Sequence, residues 1–400
     1  MTAVTALSLA QATKLVLRAQ GLHKPLGKGV KGTLEAVSRL GYVQIDSISV
    51  IQRAHHHTLW NRVVGYHPEH LDTLIADKQV FEYWSHAAAY LPMRDYRFSL
   101  PRKQAIAAGD KHWFNRDDHG RLMQEIRARI TAEGPLMARD FEQPRKGTAG
   151  WWDWKPAKRA LEQLFMEGEL MAVERRGFQK VYDLAERVLP DGLDTSVPSE
   201  REYLEYLIRR FLSANALAKP EQCIYLLKGM QTPLKQAVAE MLEEGTLVSV
   251  DVSGESYLAL AGIEEGLRQR LPAGRIRILS PFDNLLIQRK RMQSLFGFGY
   301  QLECYVPEPK RQYGYFVLPI MFGSRFVGRM DVKAERKAGE LLIKHLHIEQ
   351  PLSEKILLAL RAELQAFCEF NRMQHLRIDR ISFSGRDAGT EKQVRDYLLG

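Results

Sequence analysis

The triplet Gln44, Ile45, Asp46 lies within GYVQIDSISV (residues 41–50), a run otherwise suited to a buried β-strand. Side chains alternate across a strand, so Gln44 and Asp46 should share one face, opposite Val43 and Ile45. On that face an amide and a carboxylate stand close enough to hold one water between them. A carboxylate there is costly to bury unless it is hydrogen-bonded or opens into a cleft. A second reading stays open: an Asp near a strand end often caps the next turn, and Ser47 and Ser49 would assist it.

The following stretch, ISVIQRAHHHTLWNRVVGY, has helical character and carries three successive histidines. Three consecutive residues cannot all face one ion from a helix, and no nearby Cys or HxxxH pattern completes a ligand set, so no metal is expected. Arg53, with His55 or His56, is instead expected to line a cleft beside Asp46. No signature of a Ser/His/Asp nucleophile, a Schiff-base lysine or a phosphate-cradling loop is identifiable.

Elements able to position such a pair recur along the chain. Three segments align: TLEAVSRLGYVQIDSI from Thr33, ALEQLFMEGELMAVER from Ala160 and AVAEMLEEGTLVSVDV from Ala237. In each, an amphipathic helix ends at a Gly placed to adopt a left-handed cap, and a strand pattern follows. The second and third copies continue into hairpins with Gly-containing turns, ELMAVERRGFQKVYDLA and TLVSVDVSGESYLALA. Further helical patterns precede them: RLMQEIRARITAEG and PLMARDFE before one, SEREYLEYLIRRFLSA and KPEQCIYLLKG before the other. Ser199 and Glu202 form a capping box. Three helices with a hairpin describe a winged helix, a unit that serves in DNA recognition or in protein contacts. In the alignment, Gln44 matches Met171 and Val248, and Asp46 matches Val173 and Val250. The sister copies are apolar where the first is polar.

The rest of the chain bounds the partners. Four hundred residues, 45% of them hydrophobic, suffice for several packed domains. Lys and Arg exceed Asp and Glu by 57 to 48, a net charge of +9 that suits an anionic partner. Candidate phosphate contacts are Lys155, Lys158 and Arg159 in the second recurring helix, and Arg289, Lys290 and Arg291 in a later basic run. Lys310 and Arg311 sit among aromatics in the same way. Cys223, Cys304 and Cys368 are far apart and odd in number, which fits a reducing compartment, and a cytoplasmic location is expected. The start carries neither an export leader nor a membrane anchor pattern. After about residue 270, short apolar runs between Gly, Pro and charged turns predict an antiparallel sheet or small barrel, then a helix near Ser353 to Asn371 and a short tail.

GYVQIDSISVIQRAHHHTLWNR, SPFDNLLIQRKRMQSLFGFGYQLECYVPEPKRQYGYFVLP and FVGRMDVKAERKAGELLIKHLHIE closely resemble the winged-helix DNA glycosylases that unhook interstrand crosslinks, in their YcaQ/AlkX-like branch. The resemblance spans nearly the whole chain. It implies an α+β fold of three tandem winged-helix units followed by a C-terminal β-barrel or sheet domain with a terminal helix. The corresponding segments are 1–118, 119–196, 197–268 and 269–400. It further implies that Gln44 and Asp46 are catalytic; a related, antibiotic-resistance branch has a second Gln at the Asp46 position. The implied activity is release of N7-alkylguanine, crosslinked or not, from double-stranded DNA by a monomer that needs no cofactor and works at the nucleoid. The alternative is a non-catalytic winged-helix DNA-binding protein or transcription regulator.

Overall fold

The computed structural model describes residues 5–110, 120–141, 156–268, 274–385 and 390–400. The chain divides into two compact units, one made of Met1–His67 with Leu207–Gly400 and the other of Pro68–Tyr206.

The larger unit holds a six-stranded, curled sheet. Ile276–Ile278, Val317–Phe322, Arg325–Glu335 and Glu340–Ile348 pair antiparallel in that order. His375–Ile378 and Ile381–Phe383 both pair parallel with Glu340–Ile348, so the sheet is mixed rather than the antiparallel one expected. The parallel geometry follows from the helix Glu354–Phe370, which carries the chain back across the sheet so that its last strands run with their neighbour. Ser353, near which the sequence places the start of a helix, caps it. The tail forms a further helix, Thr390–Leu399.

Both full recurring segments are present. The helices Pro156–Glu167 and Gln231–Glu243 lead through Gly168 (φ 89°) and Gly245 (φ 71°) into the hairpins Leu170–Arg176/Gln179–Leu184 and Leu247–Val252/Glu255–Leu260. Each hairpin turns on two residues with positive φ, Gly177–Phe178 and Ser253–Gly254, the geometry that matches strand twist. Glu202 and Ser199 bond reciprocally, completing the capping box. Two of the expected helices differ. Leu136–Met137 is a strand on the Gln179–Leu184 edge followed by a short 3-10 turn, because Gly134 at φ 88° and Pro135 break the preceding helix. In KPEQCIYLLKG the helix is only Pro220–Cys223.

The first recurring segment departs most. Gly29–Leu40 ends at Gly41 (φ 75°), whose N–H donates to Val37 O, but the strand is just Val43–Gln44. Residues 45–53 are irregular and are held by the C-terminal half of the same unit. Ala334 N–H donates to Val50 O (2.9 Å), Arg336 Nη2 to Ser49 O (2.8 Å) and Ile51 O (3.2 Å), and Gln52 N–H to Asn371 Oδ1 (2.8 Å). Ile51 is buried in the core of the six-stranded sheet. Just past the strand, the Ile48 N–H bonds the Asp46 side chain and not a neighbouring strand, so Asp46 is not part of a strand and the shared-face expectation does not extend to it.

A buried ion pair joins the same regions. Arg62 and Asp283 have side chains fully out of solvent. Arg62 Nη1 and Nη2 donate to Asp283 Oδ2 (2.7 Å) and Oδ1 (2.8 Å), and the remaining donors reach Thr58 O, Gln20 O and Gln20 Oε1. All five guanidinium N–H groups are used. Beside it, Asn284 Nδ2 donates to Tyr42 O (2.9 Å), and His57 Nε2 and Asn61 Nδ2 both bond Ile278 O at 2.8 Å. His57 is wholly buried among Trp60, Phe367 and Phe370, and burial pulls its pKa down to about 4.

Arg62→Met leaves Asp283 buried without its partner and should cost about 3–5 kcal/mol in urea unfolding, whereas Arg62→Met with Asp283→Leu recovers most of it. A double variant no better than the single would show that the pair acts as more than mutual compensation. For His57 the unfolded chain takes up a proton near pH 6.5 and the fold resists it until about 4. The stability this neutral imidazole contributes is present above pH 6.5 and drains away as pH falls towards 4. The urea midpoint should therefore decline over that window in wild type and decline less steeply in His57→Gln; parallel slopes would place the titration elsewhere.

Candidate active site around Asp46

Gln44 lies at the end of its two-residue strand and is 8% exposed, while Asp46, just past it, is half-buried. Asp46 Oδ1 accepts the Ile48 N–H at 2.7 Å, the turn-capping bond left open as an alternative by the sequence. Capping engages one oxygen; Oδ2 takes no part in that bond. Burial raises the Asp46 pKa above the ordinary carboxylate value, opposed by the Ile48 bond and by the nearby Arg53 charge. Arg53 is fixed in turn, its Nη1 donating to Ser47 O at 2.6 Å. The result is a carboxylate with one oxygen anchored, a cation beside it and partial access to solvent. Such a group can stabilise positive charge that develops on a bound molecule and polarise a water.

The loop after Leu302 lies near the Asp46 segment. Cys304 packs against the same core as Ile48, Val50 and Ile51. Burial raises the Cys304 and Tyr305 pKa values, and the Asp46 charge raises both further. Tyr305 and Tyr315 are exposed, and the Arg311 guanidinium lies 5.0 Å over the Tyr315 ring. These aromatics were overlooked as site residues in the sequence; the signal was their position on either side of VPEPKRQ, a proline-stiffened basic turn.

Other candidates are distributed differently. His55 is buried, its ring 4.2 Å from that of His56, and His56 Nδ1 lies 2.8 Å from Tyr66 OH. They are packing residues of the Ala54–Trp60 helix more than surface contacts. Among the described residues no cluster of His, Cys, Asp or Glu could hold a metal. Arg291 is 4% exposed, with Nη1 on Gln222 Oε1 and Nη2 on Asn215 O, and Arg289 stacks 4.4 Å over Tyr300 and donates to Pro281 O. The helix Arg289–Phe296 turns both arginines towards the protein because Met292 and Leu295 on that side are core residues, leaving Lys290 as the exposed member of the run. Lys158 is exposed and Arg159 half-buried in the smaller unit, and Lys155 lies outside the described residues.

The chain thus combines a mixed α/β fold holding a curled sheet, a net positive charge and a half-buried, turn-anchored carboxylate. Residues 37–370 match the profile described as "DNA glycosylase AlkZ-like", and the chain belongs to the AlkZ-like DNA glycosylase family. The solved Streptomyces sahachiroi DNA glycosylase AlkZ has a similar fold, with a TM-score of 0.63 at 18% sequence identity, over 94% of this chain and 100% of that one. No helix among the described residues is long and apolar enough to cross a membrane.

Exposed and buried cations should separate in DNA binding. Lys158→Ala and Lys290→Ala should each flatten the log–log salt dependence of duplex affinity by about one unit. Arg291→Met should leave that slope unchanged and lower the thermal midpoint instead. A changed slope in Arg291→Met would move this arginine to the DNA surface.

Proposed function

We propose that the protein is a monofunctional glycosylase that hydrolyses the N-glycosidic bond of N7-alkylguanine in double-stranded DNA, including N7-linked interstrand crosslinks, and leaves an abasic site. The observation that carries this reading is the half-buried Asp46 carboxylate, anchored by Ile48 N–H beside Arg53, in a chain of the AlkZ-like DNA glycosylase family.

Alkylation at N7 gives guanine a positive charge, so the base departs without strong protonation and the sugar becomes the side that needs help. Asp46 stabilises the oxocarbenium charge as the bond lengthens and polarises the water that attacks C1′. Gln44, donor and acceptor at once, orients that water. Water adds to C1′ as the N9–C1′ bond breaks, the neutral alkylguanine leaves with the bonding electrons, the water's proton passes through Asp46 to solvent, and no covalent intermediate with the protein forms. A guanine tied to the opposite strand cannot swing out alone, so the duplex opens locally around the lesion instead of surrendering one base to a tight pocket. The two helix–hairpin segments serve as winged-helix modules that grip the duplex, within the division 1–118, 119–196, 197–268 and 269–400, and the protein acts as a monomer in the cytoplasm at the nucleoid.

On a duplex carrying N7-methylguanine, Asp46→Asn should slow base release by about 100-fold or more at unchanged DNA affinity. Gln44→Ala should slow it by about 10-fold, the worth of one hydrogen bond. Because activity needs the Asp46 carboxylate and burial raises its pKa, release should fade on acidification before an ordinary aspartate would protonate. Equal release by wild type and Asp46→Asn would remove Asp46 from the chemistry; no release by wild type would favour a DNA-binding regulator.

A further inference from the structure

Tyr305 is the most exposed large side chain of apolar character among the described residues, at 75%. An aromatic ring left in water on a floppy loop would carry little meaning, but this loop is built to be stiff. The buried Glu303 carboxylate accepts the N–H groups of Gln312 (3.1 Å), Tyr313 (2.8 Å) and Gly314 (3.0 Å), closing the loop at its base. Arg311 Nε donates across it to Val306 O at 2.9 Å, and Pro307 and Pro309 restrict the backbone between.

The far end is held as firmly. Phe316 N–H donates to Asp331 Oδ1 (2.8 Å), and the ring nitrogen Nδ1 of His345 bonds Tyr313 O (3.0 Å). At Gly314 a Cβ would come within 2.3 Å of the Asp331 side chain, so only glycine permits this approach. Leu302 and Phe316, which flank the loop, share a core with Ile51, and Cys304 packs on that core with Ile48 and Val50. The loop and the Asp46 segment are therefore fixed against one another, with the Tyr305 ring presented to solvent at their junction.

We propose that Tyr305 is the stacking residue of this site, receiving the face of the cationic N7-alkylated base while Asp46 acts on its sugar. The electron-rich face of a tyrosine attracts a positively charged ring, and a rigid ring contacts a base face at little entropic cost. An open platform, unlike a closed pocket, also tolerates a substituent on N7. This inference rests on the glycosylase reading of Asp46.

The full-length chain and its Tyr305→Ala, Tyr305→Leu and Tyr305→Phe variants would be compared on two duplexes. One carries N7-methylguanine and reports single-turnover release. The other carries 2-aminopurine beside a tetrahydrofuran abasic analogue and reports stacking by fluorescence without turnover. Release should fall about 10-fold or more in Ala and Leu and stay within about 3-fold of wild type in Phe. The fluorescence response should persist in wild type and Phe and vanish in Ala, with all thermal midpoints alike because the side chain is exposed. Wild-type release and response in Tyr305→Ala would overturn the assignment. If wild type releases no base, the glycosylase reading fails, and the fluorescence arm still decides: a response that needs the ring upholds a base contact, and one indifferent to it refutes it.

Discussion

The Arg62–Asp283 pair sits where the chain's first sixty residues meet its last hundred and twenty. A guanidinium with no access to water is tolerable only when every N–H has a partner, and Arg62 meets that condition through Asp283, Gln20 and Thr58. The geometry is demanding in both directions. Asp283 must present both oxygens from the turn after Ser280, and Leu285 N–H completes its bonding. Neighbouring groups inherit this register: Asn284 takes hold of Tyr42 O, and His57 and Asn61 share Ile278 O. Tyr42 is two residues from Gln44, so placement of the polar triplet descends from a charge pair that never meets solvent.

From there the segment that follows the triplet is held by hydrogen bonds from outside its own element. Val50 and Ile51 are claimed by Ala334 and Arg336, and Gln52 by Asn371. This arrangement withdraws the chain from strand geometry after Gln44 and lets Asp46 turn back on Ile48. The two readings of Asp46 that the sequence left open are compatible in consequence. Capping fixes the carboxylate, and a fixed carboxylate is better prepared to meet a developing charge than one that must reorganise.

Legibility differed by kind of signal. The glycine caps at 41, 168 and 245 were readable because a helix end in the left-handed region has few other solutions. Both hairpins were readable from apolar runs around Gly-containing turns. The apolar spacing of PLMARDFE fits one helical turn as well as one strand edge, and Gly134 with Pro135 decides for the strand. The direction of Arg289 and Arg291 was not readable because a basic run states charge and not direction; Met292 and Leu295 decide which face of that helix is inside. Tyr305 stands beside a proline-stiffened basic turn, but the sequence does not say whether its ring is buried or exposed: an exposed and a buried tyrosine have the same letter.

Residue chemistry and local backbone preference were determined by the sequence itself: an amide and a carboxylate in a setting apolar in its sister segments, the helix ends, the turns and the net positive charge. These depend on neighbours within a few residues, and short-range sterics and hydrogen bonding act at that range. Tertiary structure alone decided that Asp46 leaves the strand, that Arg62 finds Asp283 221 residues away, and that the Tyr305 loop is pinned by Glu303 beside the Asp46 segment. Each is a contest between a local option and a distant partner for the same buried polar group or apolar surface, and the outcome depends on what packing brings within reach.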